Sequence, residues 1–166
     1  ETFEFDGTDW TQVTTAASPG PREKPAMCYD SANNRVLLFG GIDPQIGGFS
    51  DTRPYDGTDW TRLTTQGAPG PRARAEMIFD DARGVAVLQG GLDPTNGQLI
   101  DETWEFDGTT WTLVASGTSV PAGRRAFAMA YDRNRANTVL FGGVDAFFSD
   151  LDETWEEGAS FHGYGS

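Results

Sequence analysis

Apolar residues along this chain fall in short runs of about five, and no stretch sustains the i, i+3, i+4 spacing of an amphipathic helix. Four runs follow one another in the clearest stretch: run a around Ala26–Tyr29, run b at Arg35–Phe39, run c at Asp51–Tyr55 and run d at Trp60–Thr64. Gly, Asp, Asn and Pro bound each run, the punctuation of strands rather than helices. Asp-Gly pairs at 6–7, 56–57 and 107–108 lie between runs c and d, where a tight hairpin needs positive φ. Gly-Gly pairs close run b, where a side chain would clash or the backbone must turn sharply. The pattern predicts an all-β chain of short antiparallel strands with almost no helix.

The runs recur in phase. Thr2-Phe3-Glu4-Phe5-Asp6-Gly7-Thr8-Asp9-Trp10-Thr11 returns at 52–61 and again at 103–112, offsets of 50 and 51 residues. A second block returns with it: Arg22, Met27-Cys28-Tyr29-Asp30 and Gly40-Gly41 match Arg72, Met77-Ile78-Phe79-Asp80 and Gly90-Gly91. They match in turn Arg124, Met129-Ala130-Tyr131-Asp132 and Gly142-Gly143. Some positions depart from the pattern. Pro54 sits inside run c, where a missing amide donor suits only an edge or a bulge. Gln89 replaces the Phe found at 39 and 141. A last copy starts at Asp152-Glu153-Thr154-Trp155-Glu156, then lacks the Asp-Gly turn and run d, so residues 157–166 read as an irregular tail.

Recurrent Gly-Gly after run b, the aromatics Tyr29, Phe79 and Tyr131, and Trp10, Trp60 and Trp111 in run d together resemble the Kelch repeat of β-propellers. The resemblance covers residues 1–156 and implies four-stranded antiparallel blades ringed around a channel. Divided on that basis, 1–14 supply strands c and d of one blade, 22–64 and 72–115 are blades, and 124–156 is a partial blade. That is about three blades, where closed propellers have about four to eight. The expectation is a six-bladed ring closed by a homodimer, with residues 1–14 of each chain completing the final blade of the other. Two alternatives stay open: missing blades supplied by a longer chain, or by a different protein. Position 1 is Glu and no signal peptide is visible, which fits either a removed leader or part of a longer chain.

Charge narrows the partners. Lys+Arg number 12 against 25 Asp+Glu, a net charge of −13, so nucleic acid and anionic bilayers are not expected as partners. No apolar run approaches the roughly 18 residues of a spanning helix. Cys28 and His162 are the only residues of their kinds, so neither a disulfide, a Cys-based zinc site nor a Ser-His-Asp triad can be assembled from one chain. Some propellers of the resembled type are copper-dependent sugar oxidases or iron-dependent specifier proteins. Their Tyr/His/Cys and Glu/Asp/His ligand sets are not matched here. No catalytic residue, metal or cofactor is expected.

Strand parity puts the longer b–c and d–a loops on one side, the expected binding face. It carries Asp43, Asp93 and Asp145 after the Gly-Gly pairs, and Arg22, Arg72 and Arg124 ahead of run a. These six could grip a polar protein or glycan ligand. The plainer use, favoured because each recurs in every period, is an Asp capping its own turn and an Arg fixing blade register. The tryptophans could likewise be sugar platforms or wedges between blades. The function expected is a non-enzymatic binding or scaffolding module that completes its own propeller, in an extracellular or periplasmic setting. The alternatives are part of an extracellular carbohydrate-acting propeller enzyme and an engineered or relict half-propeller.

Overall fold

The computed structural model describes residues 1–157 and 161–164. All its regular elements are strands apart from one turn of 3-10 helix at Gly117–Ser119. A first sheet pairs β1 (Thr2–Phe5) with β2 (Trp10–Val13). Blade I follows as β3 (Ala26–Asp30), β4 (Arg35–Phe39) and, after the two-residue strands β5 (Ile42–Asp43) and β6 (Gly47–Gly48), β7 (Thr52–Tyr55). Blade II is β8 (Glu76–Asp80), β9 (Val85–Gln89), β10 (Thr103–Phe106) and β11 (Trp111–Ala115). Blade III is β12 (Ala128–Asp132), β13 (Asn137–Phe141), β14 (Thr154–Glu157) and β15 (Phe161–Tyr164). Every ladder is antiparallel between strands consecutive in the blade. Innermost strands stand side by side, β3 against β8 and β8 against β12, so the sheets stack as propeller-like blades.

Between blades I and II lies the main core. Ala26, Leu37 and Phe39 from one face Ala75, Met77, Phe79, Ala86, Leu88, Phe106 and Trp111 from the other. The Trp111 ring sits 4.9 Å from Phe106 in its own blade and 5.1 Å from Phe39 across the gap. Its indole N–H donates to Thr52 Oγ1 of the preceding blade at 2.9 Å, and Trp60 donates likewise to Thr2 Oγ1 at 2.8 Å. A ring that fills an apolar gap and also satisfies its one polar atom there fixes how far one blade slides on the next. The Gly-Gly pairs do the same by backbone: Gly41 and Gly91 N–H donate to the carbonyls of Arg72 and Arg124 at 2.8 and 3.0 Å. Gly40 has φ +70°, and a Cβ there would lie 2.5 Å from the Arg72 carbonyl oxygen, so only glycine fits that approach.

Two elements differ from the sequence reading. Run d of blade I, placed at 60–64, forms no continuous strand. Thr61 N and Leu63 N still donate to Pro54 O and Thr52 O, at 3.0 and 3.1 Å. Pro54 has no N–H to return to Thr61, which removes one bond of that pair and reduces the edge to a bridge between Tyr55 and Trp60. At the other end, the expected tail over 157–166 is partly ordered. Glu157 ends β14, and Phe161–Tyr164 pair with it as Thr154↔Tyr164 through Glu157↔Phe161, while 158–160 and 165–166 lie outside the described residues. The missing Asp-Gly turn and Trp do not prevent pairing, because the ladder is made by backbone groups that any residue but proline carries.

β14 nevertheless carries a misfit. Its last residue occupies the repeat position of Phe5, Tyr55 and Phe106, the aromatics packed against Trp10, Trp60 and Trp111 at 5.2, 5.1 and 4.9 Å. There Glu157 has a buried Oε2 with no hydrogen-bond partner. Burial pushes its carboxyl up from 4.5 to about 7; Arg83 pulls it down, and Glu105 and Asp80 push it further up. A folded-state pKa raised in this way costs nothing below 4.5, then costs stability progressively as pH rises through about 7. Replacing Glu157 by Phe is expected to raise stability at pH 8 by about 1–3 kcal/mol. It should also remove the loss of stability on going from pH 4.5 to about 7, both read by thermal unfolding at several pH values.

Candidate functional site

The six residues singled out on the loop face all lie at blade corners. Arg22, Arg72 and Arg124 each reach across the top of their own blade. Nη1 donates to the carbonyls of Gly40, Gly90 and Gly142 at 2.9, 3.4 and 3.0 Å. The same guanidiniums bind Asp51, Glu102 and Glu153 at 2.8, 2.7 and 2.8 Å. Arg72 and Arg124 side chains are 1% exposed. Trp104 and Trp155 donate to the same carboxylates, at 2.7 and 2.9 Å, so both indoles are held in the frame. Arg124 and the Trp155 indole hold the Glu153 carboxyl below its ordinary range, while burial lowers the Arg72 guanidinium.

Each aspartate accepts from its own loop. Asp43 Oδ1 takes the amides of Gln45 and Ile46 at 2.7 and 3.0 Å, Asp93 Oδ1 that of Thr95 at 2.8 Å, and Asp145 Oδ1 those of Phe147 and Ser149, both at 2.8 Å. The three carboxylates thus shape three separate turns, and the structure does not bring them to one point. Among the described residues no group of three His, Cys, Asp or Glu is arranged to hold a metal ion. Cys28 packs against the core of blades I and II, and burial, with Asp30 nearby, pushes its thiol up to about 12. Such a thiol is a poor nucleophile.

Two of these three caps, those of Asp43 and Asp145, present apolar tips. Ile46, Phe147 and Phe148 at the tips of the b–c loops are 76%, 86% and 78% exposed, with the Arg125 guanidinium 4.9 Å from the Phe148 ring. Phe148 stands at the repeat position of Ile46, and the adjacent Phe147 makes that tip the more apolar of the two.

Larger apolar surfaces lie on the flanks of the arc. Met77 and Phe79 of blade II are 3% and 9% exposed, whereas Met27 and Tyr29, the same positions of blade I, are 50% and 51% exposed. The preceding sheet has only β1 and β2 and cannot cover them. Instead a cavity of about 450 Å³ opens there, lined by Thr2, Phe3, Pro25, Met27, Leu38 and Trp60 among others. Trp10 on the same sheet is 69% exposed. At the opposite flank Phe141 of blade III is 55% exposed, while Phe39, its counterpart in blade I, is 1% exposed.

No protein-family model and no curated protein matches the chain. Among solved structures, that of YjhT superposes with a TM-score of 0.78 at 16% identity, over 98% of this chain and 58% of the other. At that identity the likeness concerns the fold, and this chain spans 58% of the length of the protein it matches.

If the arginines serve the frame, Arg72→Ala should lower stability by about 2–4 kcal/mol, since it leaves the buried Gly90 carbonyl without that donor and empties a buried side-chain site. Glu102→Gln, at a side chain one-third exposed, should cost about 1 kcal/mol. Urea unfolding followed by tryptophan fluorescence measures both. Unchanged midpoints for Arg72→Ala would instead free that arginine for a ligand.

Proposed function

We propose that this chain is a non-enzymatic Kelch-type binding and scaffolding module that joins a second copy of itself to complete a six-bladed ring. The observation that carries the reading is the opposite burial of identical positions: Met27 and Tyr29 half exposed, Met77 and Phe79 buried. The methionine is the same residue in both places, and the aromatics Tyr29 and Phe79 differ only by a hydroxyl. The larger difference is the neighbouring blade, so the open flank is a junction waiting for the partner that blade II already has. Two arcs related by a twofold axis supply that partner to each other without a new type of contact. Ligand recognition, of a protein or a glycan, falls to the loop side, where Ile46, Phe147 and Phe148 stand out from turns rigidified by Asp43 and Asp145. The net charge of −13 and the lone cysteine suit an extracellular or periplasmic setting.

One finding favours a second reading. Coverage of only 58% of YjhT fits a longer chain that supplies the remaining blades itself.

Light scattering on the purified chain separates the two. Self-completion predicts a particle of twice 18.0 kDa at micromolar concentration, with β-rich circular dichroism. A folded particle that stays at 18.0 kDa overturns it.

A further inference from the structure

We propose that the C-terminal hairpin β14–β15 is a displaceable plug, and that the β1–β2 hairpin of a second copy takes its place on β13 when the ring closes. The inference rests on the self-completion reading above and adds to it the seam and the element that regulates it.

Three sites at the blade III end of the arc are unfilled with the resident hairpin in place and would be filled by the exchange. First, the repeat position of Phe106 holds Glu157, whose buried Oε2 has no partner. β1 would put Phe5 there, already packed against Trp10 with ring centres 5.2 Å apart. Second, blades I and II each send a tryptophan N–H to a threonine of the blade before: Trp60 to Thr2 and Trp111 to Thr52. The next threonine in that series, Thr103, meets no tryptophan from β15, whose sequence is Phe161-His162-Gly163-Tyr164. Its hydroxyl donates to Gln89 Oε1 instead, and Gln89 Nε2 is left buried without a partner. Trp10, 69% exposed in this chain, is the residue that repeat equivalence would deliver to Thr103.

Third, Gly41 and Gly91 donate their N–H to the Arg carbonyl that opens the following blade. For Gly143 that carbonyl would be Arg22 of the second copy, which the exchange brings alongside. The same movement fills the 450 Å³ cavity beside Met27 and Leu38 with β12 and β13 of the other chain. One exchange therefore satisfies all the open junctions, and twofold symmetry repeats it.

Register follows from blade II, where Thr103, Trp104, Glu105 and Phe106 pair with Gln89, Leu88, Val87 and Ala86. Carried to the seam, Glu4 of one chain faces Val139 of the other. The equivalent Pro54 turns its carbonyl away from β4, toward Thr61, so Glu4 and Val139 form a pair without mutual hydrogen bonds. Their Cα atoms would be about 4.5 Å apart, within disulfide reach.

The test is a chain carrying Glu4→Cys, Val139→Cys and Cys28→Ser, oxidised gently and run on a non-reducing gel beside light scattering. The expected result is a covalent dimer whose yield falls at least tenfold with Trp10→Ala. Deleting residues 154–166 should speed its formation, since no plug has to leave; the full-length double-cysteine chain keeps the test valid if that deletion does not fold. A particle of dimer mass that gives no crosslink overturns the seam and leaves self-completion standing. A crosslink indifferent to Trp10→Ala overturns the tryptophan's part in it. A chain that remains monomeric in every form overturns both the seam and the reading beneath it.

Discussion

A four-stranded blade has two faces, and each is apolar enough to require a neighbour. The structure depends on that constraint more than on any single bond. Phe39, Met77, Phe79 and Trp111 are buried because two sheets meet, not because either sheet has a core of its own. Directional contacts then set where the sheets meet. Trp–Thr bonds lock the strand c and d end of the junctions on either side of blade I, and Gly–Arg backbone bonds lock the loop end of those on either side of blade II. The arginine clamps tie the corner of each blade to its own third strand, so a blade is presented to its neighbour as a rigid wedge.

Much of this was legible in the chain because every blade needs the same parts. Gly-Gly after run b, Asp-Gly between c and d and a tryptophan in d recur at fixed phase, and the strands fall where they indicate except in run d of blade I. Partners were harder to see. Arg22, Arg72 and Arg124 were visible, but their carboxylates lie 29 or 30 residues further on and alternate between Asp51, Glu102 and Glu153. The threonines that receive Trp60 and Trp111 lie 58 and 59 residues upstream, in another blade. A pairing at that range leaves no local pattern.

The flanks lay beyond any reading of sequence. Met27 and Met77 occupy the same motif, and only the presence or absence of a covering blade separates them. Residues 161–164 illustrate the converse: a poor strand sequence pairs because an unpaired edge was offered to it. Glu157 shows the cost of that makeshift, a carboxylate lodged where the other blades keep an aromatic ring.

Pro54 gives blade I a different character from blade II. Its outer edge hangs on the Asp56 N, Thr61 N and Leu63 N bonds, whereas β10 and β11 share a ladder along Thr103–Phe106. Sparse pairing of this kind leaves the 60–64 stretch open to small local openings that the inner strands, bonded on both sides, resist. The same frayed rim makes a poor template for edge-to-edge growth, so the proline also guards the periphery against fibril-like stacking.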